Sequence, residues 1–147
     1  MDRTNARYLT AAMFDPRPEL ATVDVAFISL SKILPALSDV LLPGSRAVCL
    51  VKPQFEAGRE KVGKRGVVRS QAVHIEVLRA CIGYAVANGF EPLGMTQSPI
   101  RGPEGNVEFL MYLVRRDGPV LQPDIEALVG QAMELPAPGD APAGTPS

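Results

Sequence analysis

An α/β fold with a mixed sheet and an antiparallel last strand is predicted by three features of this 147-residue chain. The apolar runs Thr22–Ile28 and Ala47–Lys52 flank a helical stretch with short connections, which implies a right-handed crossover and parallel pairing. A long helical stripe lies between Ser70 and Asn88. Two further β-rich runs, near Glu91–Gln97 and at Val107–Arg115, are separated by nine turn-rich residues, a spacing that suits a hairpin and turns the last strand antiparallel.

Each element has a local reason. In Thr22–Ile28 only Asp24 interrupts the apolar character. Ser29 or Ser31 can cap the next helix, where Ile33, Leu34, Leu37, Leu41 and Leu42 fall at helical spacing before Pro43-Gly44 ends it. The run Ala47–Val51 delivers Lys52 to a strand end, and Pro53 stops the strand and holds Lys52 extended. Gly58–Val68 is a glycine-punctuated basic loop. Ser70 caps the long helix, with Val73, Val77, Cys81 and Ala85 in one stripe, Leu78 and Ile82 beside it, and Asn88-Gly89 as the C-cap. Val107, Phe109, Met111 and Leu113 share one face of the last strand. Pro123–Leu135 reads as a short helix and Pro136–Ser147 as a disordered tail. The expected organisation is one domain over residues 1–118, a helical extension over 119–135 and the tail at 136–147.

Composition narrows the classes. At 46% hydrophobic the chain can bury one ordinary core. No apolar run approaches the roughly 20 residues that span a bilayer, so no membrane role is expected. The polar start Met1–Arg7 resembles no secretory signal. Cys49 and Cys81 lie in apolar segments and read as buried free thiols in a reducing cytoplasm, with a disulfide weakly supported. With His74 as the single histidine they do not compose a zinc site, and no metal is expected. The net charge of −1 hides an asymmetry: residues 1–70 carry 11 Lys/Arg against 7 Asp/Glu, and residues 71–147 carry 4 against 9. The positive charge between Lys52 and Arg69 suits phosphates, or simply a solvated mobile loop.

Three charges are expected to converge. If the first two strands are parallel neighbours, Asp24 and Lys52 approach the carboxyl edge of the sheet, where open α/β sheets bind ligands. An antiparallel last strand brings its beginning there, and with it Glu108. Charges so placed pair with one another because each is costly to bury alone. Such pairing serves a structural ion network as well as a reactive site.

The segments Arg3–Arg7, Val23–Leu30, Val51–Glu56, Lys64–Val68 and Ser98–Phe109, in this order, resemble the TlyA (hemolysin A) family, whose catalytic domain is FtsJ-like. The resemblance covers about residues 1–116 and implies a partial Rossmann-like methyltransferase fold. It also implies S-adenosylmethionine-dependent 2′-O-methylation of ribosomal RNA. By motif match Asp24, Lys52 and Glu108 take the Asp, second Lys and Glu of a Lys-Asp-Lys-Glu tetrad. Thr4, Asn5, Asp24 and Phe27 fall on the cofactor side, and Arg59, Lys61, Lys64, Arg65 and Arg101 face RNA. The family's N-terminal RNA-binding domain, glycine-rich cofactor loop and first catalytic lysine have no counterpart here. The chain is therefore expected to correspond to the C-terminal part of the catalytic domain and to transfer methyl groups poorly alone. An exposed edge on Thr22–Ile28 would favour self-association. The alternatives are a non-catalytic RNA-binding or regulatory remnant and, from the family's other name, a cytolysin.

Overall fold

The computed structural model describes residues 20–26, 28–58, 61–63, 66–102 and 105–134. In chain order these form β1 (Leu20–Val23), α1 (Leu30–Val40), β2 (Arg46–Val51), α2 (Pro53–Glu56), α3 (Gln71–Ala87), β3 (Phe90–Gln97), β4 (Phe109–Arg115) and α4 (Ile125–Glu134). The sheet order is β1-β2-β4-β3. β1 and β2 run parallel, and β4 runs antiparallel to both β2 and β3. The mixed sheet with its antiparallel last strand is as expected, and β4 lies inside the sheet, between β2 and β3.

Helix α1 starts where Ser29 Oγ accepts from Ser31 N at 3.0 Å. It buries Leu30, Ile33, Leu34, Leu37 and Val40 and runs through Pro35, which is exposed and removes one helical donor. Leu42, expected on the buried stripe, is 48% exposed because the helix has already ended at Val40. Ser70 caps α3, its Oγ accepting from Val73 N. The predicted stripe Val77, Leu78, Cys81, Ile82 and Ala85 is buried, with Val73 half-buried. Gly89 follows with φ +82°, a backbone conformation that favours glycine.

Alternation places Ala47, Cys49 and Val51 of β2 beside Leu113, Met111 and Phe109 of β4, all buried in one core. α4 packs on β3 and α3 through Val129 and Ala132. Its Gln131 Oε1 accepts from Met95 N at 3.0 Å, beside the register shift between Pro92 and Gly94. The opposite sheet face is less covered: Val48, Leu50 and Leu110 are half-buried and Tyr112 is exposed.

Two of the boundaries that differ from expectation bear on the charged edge. β1 ends at Val23 and not Ile28, because Val25 and Ile28 pack against the core from the crossover loop. Strand β4 begins at Phe109, so Glu108 precedes it. Thr4, Asn5, Phe27, Arg59, Lys64, Arg65 and the expected tail lie outside the described residues.

Candidate functional site

Three strand ends meet at one edge. Asp24 follows β1, Lys52 follows β2, and Glu108 precedes β4, whose first residue Phe109 is the register partner of Val51. Neighbouring strands stand about 4.8 Å apart, so the topology sets Lys52 on the middle strand with a carboxylate on each neighbour. Lys52 Nζ pairs with Asp24 Oδ1 at 2.6 Å. The lysine side chain is 14% exposed and the aspartate 68%, so the pair joins a largely covered ammonium to a carboxylate in water. Glu108 makes its hydrogen bond elsewhere: its Oε2 accepts from Gln54 Nε2 at 2.8 Å.

The turn after β2 holds this edge together. Lys52 keeps extended backbone, φ −115° and ψ 98°, and Pro53 occupies the first position of α2, where its missing N–H costs nothing. Phe55 N and Glu56 N both donate to Lys52 O. The turn then reaches three elements through alternate side chains: Lys52 to Asp24, Gln54 to Glu108, and Glu56 to the start of α1. Glu56 accepts from Ser29 Oγ at 2.7 Å and from Leu30 N at 2.8 Å, which supplies negative charge at a helix N-terminus. Burial pushes its pKa up, opposed by hydrogen bonds from Ser29, Leu30 and the Cys81 thiol.

Glu108 is 5% exposed and packs on backbone: a Cβ at Gly102 would collide with its carboxylate. Ser98 N donates to Glu108 O at 2.8 Å, fixing the other side of the loop. Asn106, 2% exposed, ties this loop to the basic one. Its Nδ2 donates to Gly66 O at 2.9 Å and its Oδ1 accepts from Val68 N at 3.0 Å. His74 Nε2 lies 3.0 Å from Val68 O, and the ring stands edge-on to Phe109. Burial lowers the His74 pKa, with the positive charge of Arg101 acting in the same direction and the Val68 hydrogen bond against it.

Among the residues expected to meet RNA, Lys61 forms an ion pair with Glu76 at 2.5 Å, and Arg101 is exposed, with Nη1 3.4 Å from Gly105 O. Cys49 and Cys81 are buried and free, and burial pushes the Cys49 thiol up to about 12 and Cys81 well above its ordinary value. Among the described residues no helix is long and apolar enough to cross a membrane. A cavity of about 370 Å³ lined by Pro35, Ser38, Asp39, Leu41, Pro43 and Arg115 opens at the other end of β4, away from the charged edge.

Sequence reasoning missed Gln54, Glu56, Gly102 and Asn106 as parts of this edge. The signal present for α2 was Pro53 followed by an acidic residue, the composition of a helix first turn. The long-range partners of these side chains carried no local signal.

Residues 1–115 match the FtsJ-like methyltransferase family. The chain is 54% identical over 114 residues to YqxC of Bacillus subtilis, covering 77% of this chain and 41% of that protein. It is 40% identical over 113 residues to "16S/23S rRNA (cytidine-2′-O)-methyltransferase TlyA" of Mycobacterium tuberculosis, covering 77% and 42%. A solved structure from Streptococcus thermophilus superposes with a TM-score of 0.80 at 44% identity over 91% of this chain and 50% of that one. The chain thus spans about half the length of these relatives, or somewhat less. The four-stranded mixed sheet of the described residues is part of a Rossmann-like methyltransferase fold, and the chain belongs to the FtsJ-like methyltransferase family.

Proposed function

We propose that this chain carries the reactive edge of an S-adenosylmethionine-dependent 2′-O-methyltransferase acting on ribosomal RNA in the cytoplasm. The observation that carries the reading is the 2.6 Å Lys52–Asp24 pair at the carboxyl ends of two parallel strands, with Glu108 just before the adjoining strand. A ribosomal RNA substrate is supported by the name of the Mycobacterium tuberculosis relative. A reducing compartment suits two buried free thiols.

The donors present fit a cationic, ribose-bearing methyl donor: Asp24 offers a carboxylate, 68% exposed, at the carboxyl edge. Asp24 and Phe27, with Thr4 and Asn5, are the residues proposed to hold it. When bound, S-adenosylmethionine supplies an electrophilic methyl group. Lys52 Nζ stands where it would take the 2′-hydroxyl proton of the sugar to be methylated. Asp24 holds Nζ in place, and Glu108, fixed by Gln54 just before the neighbouring strand, is proposed to orient the lysine. Arg59, Lys61, Lys64, Arg65 and Arg101 are proposed to contact RNA phosphate or ribose. Lys61 would exchange its Glu76 partner for phosphate.

The test replaces Lys52 by Ala at the chromosomal locus, so that the protein is read in whatever form the cell makes. Ribosomal RNA is then digested to nucleosides and ribose methylation is counted by mass spectrometry. The reading expects one or more 2′-O-methylnucleosides to disappear. An unchanged methylation profile sinks it. We also infer self-association through β1, which edges the described sheet and leaves Leu20 62% exposed. Light scattering should show mass rising with concentration, less so for Leu20→Lys; a monomer throughout contradicts this.

A further inference from the structure

The amide of Gln54 is only half accounted for. Its Nε2 donates to Glu108 Oε2 at 2.8 Å, and that contact fixes which way the amide faces, because only the NH2 end can meet a carboxylate oxygen. The carbonyl end must then point elsewhere. Gln54 Oε1 is buried and has no hydrogen-bond partner, the one such side-chain atom among the described residues. Buried acceptors are nearly always satisfied, so an isolated orphan calls for a donor. Gln54 also stands in a telling place, two residues after Lys52 and in contact with Glu108.

We propose that Gln54 reads a ribose hydroxyl at this edge: Nε2 positions Glu108, and Oε1 accepts the hydroxyl's hydrogen bond. This rests on the ribose-methylating reading above and adds a residue to it. A hydroxyl fits the vacant role because it donates to Oε1 while its oxygen stays able to accept from neighbours. The hydroxyl belongs either to the RNA nucleotide or to the ribose of the methyl donor. Main-chain ties keep the carrier turn rigid, since Phe55 N and Glu56 N donate to Lys52 O and Ala57 N donates to Pro53 O. The turn therefore stays in place, and because Oε1 is covered in the structure, the hydroxyl reaches it as the side chains over it give way.

The test compares wild type with Gln54→Met, which keeps the length of the side chain and removes both polar ends. Binding is measured by anisotropy for a short cytidine-rich ribo-oligonucleotide and its 2′-deoxy counterpart, and by calorimetry for S-adenosylhomocysteine. The expected result is that the ribo-over-deoxy preference falls about fivefold to tenfold in the variant, the worth of one hydrogen bond. S-adenosylhomocysteine affinity then stays unchanged. A loss of S-adenosylhomocysteine affinity by a similar factor, with the preference intact, supports the inference with the methyl donor's ribose as the source. If neither quantity moves, the inference is overturned and a water serves Oε1. Should the variant fail to fold, the wild-type Gln54 side-chain amide resonance decides: it must move when the ribo-oligonucleotide or S-adenosylhomocysteine is added, and a resonance unmoved by both overturns the proposal. Equal binding of the two oligonucleotides by wild type, with an unmoved resonance, removes the Gln54 role alone. Binding of neither removes the RNA reading as well.

Discussion

Asp24→Asn should destabilise the protein more than Lys52→Met, although the two substitutions break the same ion pair. Breaking a fully buried pair costs about 3–5 kcal/mol and an exposed one about 0–1 kcal/mol. This pair is mixed, with the lysine side chain 14% exposed and the aspartate 68%. Losing the carboxylate leaves a largely covered ammonium without its partner, but water reaches the Asp24 side, so the cost is discounted to about 1–2 kcal/mol. Losing the ammonium leaves a solvated carboxylate, and methionine replaces much of the buried lysine stem, so the cost stays below about 0.5 kcal/mol. The gap corresponds to about 3–5 °C in Tm for a chain of 147 residues. Thermal unfolding followed by circular dichroism at neutral pH measures it. Equal losses in the two variants would mean that the lysine is held for stability, and the reasoning from burial would be refuted.

The other predictions concern the braces around the edge. Glu56 has a raised pKa, so its contribution to stability is fully present below its ordinary value of 4.5 and is lost as pH rises through the folded value. The stability advantage of wild type over Glu56→Gln should therefore be largest below about pH 4.5 and shrink toward neutrality; urea titrations across pH check this, and an advantage growing with pH contradicts it. Asn106→Ala strands the Val68 N–H, whose residue is 2% exposed, while Gly66 O can turn to water. The expected cost is about 1–3 kcal/mol. Amide exchange at Val68 should then accelerate about 10- to 100-fold, and unchanged protection would show that the two loops hold together without this side chain.

How much was legible from sequence depends on the range of the interaction. Capping and periodicity are local, so Ser29, Ser70 and the stripe from Val77 to Ala85 were read from residues a few positions apart. Parallel pairing of the first two strands followed from short connections, and the start of β4 at the edge followed from its direction. The end of β1 was misplaced because Val25 and Ile28 are apolar for packing from a loop, which a composition rule cannot tell from a strand. Gln54 meets Glu108 across 54 positions, Glu56 meets Ser29 across 27, and Asn106 meets Val68 across 38. Nothing near any of these residues announces its partner. Gly102 read as a turn residue, whereas its hydrogen atom is what lets the Glu108 carboxylate approach the backbone.

The most direct measurement is a crystal structure of the protein with S-adenosylhomocysteine and a bound ribo-oligonucleotide. The account predicts one ribose at the carboxyl edge of β1 and β2, its 2′-oxygen about 2.6–3.2 Å from Lys52 Nζ. A ribose bound on another face, with Lys52 still engaged only by Asp24, would contradict it.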